Sequence, residues 1–350
     1  MLKMSDRRTK TIQKKLCFVA TVSVKQMIRN TVLWPVSFCL CALAVAVELA
    51  EVPPIPKGYA DDQAVKTAIL LGQIKLIDAM NVSIPHNVEE ILGIEYGTGG
   101  ERKLHLDLYQ PKGRTKATPA IFFIHGGAWR SGKRSDMKFY CVKFAEKGYV
   151  TATASYRLTG EAPFPAAVHD VKCAVRWLRA SAAKYQVDPK RIAVSGNSAG
   201  GHLSMMIGYS DDPALEGTGG NNGVSSGVCA VVNFYGPTDL TTDFAKKQGV
   251  VEDFMGGKTF DEAPDIYRLA SPLFHLTRDD PPTLIFHGTI DSTVPIVQAD
   301  KLSDKLKELG IDYIYERYDG WPHVMDLAEA VNRRCIYQME QFFKKYLSID

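Results

Sequence analysis

The 350-residue chain has no Cys-x-x-Cys and no cysteine–histidine cluster at zinc-finger spacing, which excludes a zinc module. It has no internal repeat of fixed period, which excludes solenoid and propeller arrays. Glycine and proline are not in excess, and 23% charged residues stand against 45% apolar ones, so a disordered chain is excluded as well. A basic surface is missing where a nucleic acid would need one. The first 46 residues hold eight Lys or Arg and one Asp, and the remaining 34 basic and 38 acidic residues sum to −4. Nothing in the pattern calls for a metal or an organic cofactor, and no nucleic-acid partner is expected.

What is present begins with an apolar run. Residues 31–47, TVLWPVSFCLCALAVAV, follow Arg29 and contain the small-x-small stretch ALAVA at 42–46. A basic residue, an apolar core and small residues at the exit describe a secretory signal, with an uncleaved membrane anchor as the alternative. The chain is therefore expected to be exported, as a periplasmic or secreted protein, or held at a membrane. Met27 offers a start that gives a signal of ordinary length, with residues 1–26 as an upstream extension. Cys141, Cys173, Cys229 and Cys335 lie beyond this region in apolar contexts and read as buried free thiols, although three disulfide pairings are formally open.

Residues 47–87 read as a linker with a helical stretch, AVKTAILLGQIKLIDAM. From residue 88 strands and helices alternate. KLHLDLYQP places leucine at every second position, as a half-buried strand does. IFFI at 121–124 is continuously apolar, and FPAAVHDVKCAVRWLRASAAKYQ has the spacing of an amphipathic helix. Such alternation predicts an α/β fold with a mostly parallel sheet covered on both faces over residues 88–350. Residues 237–277 interrupt the rhythm and read as a small cap or lid insertion.

Gly196-Asn197-Ser198-Ala199-Gly200 lies between the apolar strand RIAVSG and a helix. G-x-S-x-G in this context puts the serine on a sharp strand–helix turn that exposes its hydroxyl. A serine hydroxyl needs a base, and the base needs an orienting acid. The expected chain order is serine, acid, histidine. Asp291 lies just past the apolar strand PTLIFHG, in a loop closed by Pro295. His323 lies in the Gly/Pro loop DGWPH between a strand and the last helix. Asp312 and Asp326 are poorer acids, placed at a strand start and within a helix. Gly126, Gly127 and Ala199 are the candidate amide donors to an oxyanion. Trp129 is a candidate wall of the substrate pocket or a packing residue, His125 a brace for the loop, and Arg130, Lys133 and Arg134 solvated surface.

From residue 88 to the C-terminus the chain resembles the α/β-hydrolase fold, and within it the microbial carboxylesterases related to hormone-sensitive lipase and the acetyl-xylan or feruloyl esterase-like group. The stretches IFFIHGGAWRSGKR, SYRLTGEAPFPAAVHDVKCAVRWLRASAAKYQVDPKRIAVSGNSAGGHLS, FHGTIDSTVP and GWPH carry the resemblance. It implies Ser198, Asp291 and His323 as the triad and Gly126–Gly127 as the oxyanion loop. It implies a small-molecule or carbohydrate ester as substrate, with acetyl or feruloyl groups on polysaccharides as the expectation. Two departures are visible: Ala128 where many relatives have a third glycine, and Asn197 where they have Asp. HGGxW also occurs in arylformamidases, so an arylformamidase-like or peptidase-like amide hydrolase is the alternative. A non-catalytic binding protein is the third reading, and no triad member is missing to support it.

Overall fold

A computed structural model describes residues 52–348. The expectations for residues 1–46, including the signal or anchor, lie outside the described residues. Among the described residues no helix is long and apolar enough to cross a membrane.

Eight strands form one sheet. They are β1 (Val88–Gly99), β2 (Arg102–Pro111), β3 (Thr118–Ile124), β4 (Val150–Ala154), β5 (Val187–Asn197), β6 (Ala230–Phe234), β7 (Thr283–Gly288) and β8 (Tyr313–Tyr318). The spatial order is β1-β2-β4-β3-β5-β6-β7-β8. β1, β2 and β4 pair antiparallel, and every pairing from β4 to β8 is parallel. The sequence explains the layering. Ala120, Phe122 and Ile124 of β3 join the core on one face, with Leu104, Leu106 and Leu108 of β2. Ile121 and Phe123 join the core on the other. Alternate side chains point to opposite faces, so a strand buried on both sides is apolar throughout.

Helices close both faces. The first core takes Val168, Val171 and Val175 of Ala166–Ala180, Leu203 of Ala199–Tyr209, and Leu302 and Leu306 of Val297–Leu309. The second takes Phe144 of Lys138–Glu146 and Val331, Cys335, Met339 and Phe343 of Glu329–Leu347. Cys141, Cys173 and Cys335 are buried free thiols, and Cys229 is a half-buried one.

Two segments differ from the sequence reading. The helix expected across residues 64–80 is only Asp62–Leu70, capped by the Asp61 carboxylate. Gly72, at φ +68°, turns the chain out of the helix, and Leu76 then bridges Ala328. The insertion 237–277 is no free flap: Leu240, Val251, Phe254, Tyr267 and Ala270 belong to the first core.

Residues 52–77 brace the segment between β8 and the last helix. Tyr59 N–H donates to Gly320 O at 2.8 Å, Ile77 N–H to Leu327 O at 2.9 Å, and Glu329 N–H to Lys75 O at 2.8 Å. The Trp321 indole donates to Pro56 O at 3.1 Å. Ile74 anchors this arm in the second core. Ile74→Asp would bury an unpaired carboxylate there, at a cost of about 3 kcal/mol. The expected result in a thermal melt is a Tm lower by roughly 6 °C; an unchanged Tm would show that the arm contributes nothing.

Candidate functional site

β5 to β8 lie side by side and parallel, so the loops leaving their C-terminal ends open on one rim of the sheet. Ser198 leaves β5 as the N-cap of helix Ala199–Tyr209, with φ +53° and ψ −120°. A non-glycine residue holds such a conformation only where its surroundings enforce it. Here the Ser198 N–H donates to Phe234 O at 2.8 Å and its carbonyl accepts from His202 N–H at 3.0 Å. Gly200 makes the turn sterically feasible, since a Cβ there would stand 2.0 Å from Ile124 O.

His323 follows β8 by five residues and Asp291 follows β7 by three. The Ser198 Oγ lies 3.0 Å from His323 Nε2, and His323 Nδ1 lies 2.6 Å from Asp291 Oδ2. The other carboxylate oxygen of Asp291 accepts the N–H groups of Thr293 at 2.9 Å and Val294 at 2.8 Å. Burial pushes the Asp291 carboxyl up, but hydrogen bonds from His287 and His323 and their charges outweigh it and hold the group at about 2. An ionised Asp291 only accepts, so the Nδ1 proton of His323 points at it and Nε2 is left as an acceptor for the serine proton. Such an arrangement can draw the proton from Ser198 as its oxygen attacks an electrophile.

The loop after β3 lies against this serine. A Cβ on Gly126 would stand 3.3 Å from the Ser198 Cβ and 2.7 Å from Asn197 O, and Gly127 takes φ +108°. Among the described residues, the N–H groups of Gly126 and Gly127 make no hydrogen bond within the protein. Ala199 opens the helix, where the first N–H groups have no intrahelical acceptor. Gly126 and Ala199 sit beside Ser198, and Gly127 follows in the same loop, so their amides are the candidates to meet a developing negative charge. His125 braces the loop from beneath. Its Nδ1–H donates to Gly126 O at 2.8 Å, and its ring stacks on Tyr156 at 4.3 Å.

Other residues are placed differently from the sequence expectation. Trp129 takes the packing position: at 3% exposure it stacks on Phe254 at 4.4 Å and its indole donates to His202 Nδ1 at 3.2 Å. The loop binds to the 237–277 insertion through this ring, and a bulky apolar side chain gains more from that burial than from solvent. Arg130 and Lys133 are exposed, but Arg134 pairs with the buried Asp107 at 2.8 Å. His287 is an unforeseen neighbour of the acid. Its Nε2 lies 2.7 Å from Val294 O and 3.3 Å from Asp291 Oδ2. The only signal in the sequence is its place four residues before Asp291.

His202 completes its own bonding, with Nε2–H donating to Ala270 O at 2.7 Å. Burial pushes its pKa down from 6.5 to about 4. The unfolded chain therefore takes up a proton that the folded one refuses. Stability falls as pH drops from about 6.5 to 4, by up to about 3 kcal/mol for this group. Urea midpoints at pH 7 and pH 5 should differ accordingly, and His202→Asn should remove that share of the difference. An equal difference in the variant would contradict the assignment. Among the described residues no cluster of three or more His, Cys, Asp or Glu is placed to hold a metal ion.

Known proteins share this architecture. The BD-FAE family profile matches residues 106–306, more than half of the chain. Esterase LipC of Mycobacterium tuberculosis is 34% identical over 234 residues, 64% of this chain and 58% of its own length. The probable carboxylic ester hydrolase LipM of the same organism is 32% identical over 259 residues, 71% of this chain and 59% of its own. The chain thus spans about three fifths of the length of these curated relatives. Among solved structures, a truncated carbohydrate esterase from gut microbiota superposes with a TM-score of 0.64 at 28% identity, covering 75% of this chain and 99% of that one. The thermophilic esterase Est2 of Thermogutta terrifontis gives 0.65 at 26% identity, covering 77% and 97%.

Proposed function

Since the chain belongs to the BD-FAE family, we propose that it is a serine carboxylesterase with Ser198 as nucleophile, His323 as base and Asp291 as the orienting acid. The observation that carries this reading is the unbroken hydrogen-bonded relay from Ser198 through His323 to Asp291, at 3.0 and 2.6 Å. The Ser198 oxygen attacks the acyl carbon and its proton passes to His323 Nε2. The carbonyl oxygen becomes an oxyanion, received by the N–H groups of Gly126, Gly127 and Ala199. His323 returns the proton to the departing alcohol, leaving an acyl-serine. Water, deprotonated by the same imidazole, then releases the acid.

For substrate we infer a small acyl ester, with acetyl or feruloyl groups on a polysaccharide as the physiological target. The similarity to a carbohydrate esterase and to the bifunctional GH43-CE protein of Bacteroides eggerthii supports the carbohydrate side. Est2 solved with butyrate and with propionate supports a short acyl group. We further infer export, or attachment to a membrane, from the apolar run at 31–47. Comparing kcat/KM for p-nitrophenyl acetate, acetylated xylan, methyl ferulate, p-nitrophenyl palmitate and N-formylkynurenine tests the substrate class. Acetyl or feruloyl esters are expected to lead and the palmitate to fall behind by at least about 100-fold, the scale on which pocket fit discriminates. N-formylkynurenine as the fastest substrate would overturn the ester reading.

A further inference from the structure

A second carboxylate lies three residues beyond His323. Asp326 sits in the short 3-10 turn Met325–Leu327, not in the last helix where the sequence reading put it, and it is 2% exposed. A buried carboxylate persists only when its oxygens are occupied. The Tyr140 hydroxyl donates to Oδ2 at 2.7 Å, and the Tyr235 hydroxyl donates to Oδ1. Asn332 Nδ2 donates both to the Tyr140 hydroxyl oxygen at 3.1 Å and to the Asp326 carbonyl at 3.0 Å. That bond into Tyr140 directs the phenolic proton of Tyr140 onto the carboxylate. Each carboxylate oxygen thus accepts a hydroxyl proton, the pattern of an ionised group and not of a neutral acid.

The network ends at the imidazole. Tyr235 directly follows β6, takes φ +42° and packs its ring at 4.5 Å from the His323 ring. Val324, at φ +54°, bends the chain between His323 and Asp326. His323 is thereby held on two sides, by the Tyr235 ring and by its own loop, and both are fastened to one buried carboxylate. The groups facing Asp326 are Tyr140 from the helix Lys138–Glu146, Tyr235 from the end of β6, Cys335 from the last helix and His323 from its own loop. Burial raises both phenols and the Cys335 thiol well above their ordinary range, so all three stay neutral. Burial also raises the Asp326 carboxyl, against the hydrogen bonds from Tyr235 and Tyr140 and the charge of His323.

We propose that Asp326 is a positioning residue of the same reaction: an ionised second carboxylate that fixes the His323 ring through Tyr235 and the 323–326 loop and stabilises its protonated form. The proposal rests on the serine-esterase reading. Asp291 orients the ring through Nδ1, and Asp326 acts on it indirectly, through Tyr235 and the loop. Removing the charge should misplace the base and make the imidazolium harder to form.

The test is the pH dependence of kcat and KM for p-nitrophenyl acetate in the wild type, Asp326→Asn, Tyr140→Phe and Ser198→Ala, each confirmed folded by thermal melt. Asp326→Asn is expected to lower kcat about 10- to 100-fold, the scale of a slightly misplaced catalytic group, with KM within about twofold. It should also move the acid limb of kcat/KM to lower pH by on the order of half a unit, less than a directly contacting charge would give. Tyr140→Phe loosens the anchor on its far side and keeps the charge. It is expected to lower kcat by less than about 10-fold with the acid limb in place. If Asp326→Asn does not fold, Tyr235→Phe takes its place. It keeps the ring on the imidazole, removes one bond to the carboxylate, and is expected to lower kcat about 10-fold at unchanged KM.

Wild-type kcat and pH profile in the folded variant would overturn the proposal. So would a fall in kcat with an unmoved acid limb in Asp326→Asn, which would make Asp326 a structural anchor only. Full activity in Ser198→Ala would instead overturn the esterase reading itself, so the two failures are told apart.

Discussion

Ser198→Ala is expected to lower kcat for p-nitrophenyl acetate by about 10⁴-fold or more, at an unchanged melting temperature. The loss follows from the relay: without the hydroxyl there is no atom to form the acyl bond, and His323 Nε2 has no serine proton to accept. Removing a nucleophile that acts with its base costs most of what the whole unit supplies, and the residual rate comes from binding and the amide donors. The unchanged Tm follows from the backbone. Alanine keeps a Cβ at φ +53°, so the conformational strain is the same, and the half-exposed hydroxyl leaves no buried partner unsatisfied. Stopped assays and a melt on the same preparation check both halves. Retention of more than about a tenth of the activity would mean that another group is the nucleophile.

Asp291→Asn is expected to lower kcat by about 10⁴-fold through a different cause. The N–H groups of Thr293 and Val294 would claim the amide oxygen, as they claim Oδ1 now. The amide NH₂ would then face His323 Nδ1, forcing the imidazole to accept there and to carry its proton on Nε2. That tautomer cannot take the proton of Ser198. The same change alters acid stability. With the folded carboxyl held at about 2 against an ordinary 3.8, the group contributes stability above about pH 4 that is lost as pH falls toward 2. The contribution is about 2–3 kcal/mol. Urea midpoints of the variant should therefore fall less steeply than those of the wild type between pH 4 and 2. A wild-type slope in the variant, or a kcat within tenfold of wild type, would contradict the orienting role.

The strand ends were legible in the sequence because each is marked locally. An apolar run stops and a turn chemistry begins at Ile124–His125, at Gly196–Asn197, at Gly288–Thr289 and at Tyr318–Asp319. The alternating leucines of β2 were legible because one buried face imposes a period of two. Partnerships formed in space carry no such mark. Asp107 and Arg134 stand 27 residues apart, and Tyr140 and Asp326 stand 186 apart. The sequence around Arg134 reads as basic surface, because an ion pair with a distant buried acid leaves no local pattern. Trp129 reads equally as pocket wall or core, and only the position of Phe254 decides it. Apolar spacing continues past Leu70 and so overstates the helix after Asp61, which the turn at Gly72 and the pairing of Leu76 with Ala328 end.

The relay is tested most directly by reacting the folded protein with a fluorophosphonate and mapping the adduct by peptide mass spectrometry. One phosphonyl group per chain is expected, on the peptide containing Ser198, with ester hydrolysis lost in proportion and no adduct in Ser198→Ala. A protein that hydrolyses esters while Ser198 stays unmodified, or that carries the adduct on another residue, would contradict the account.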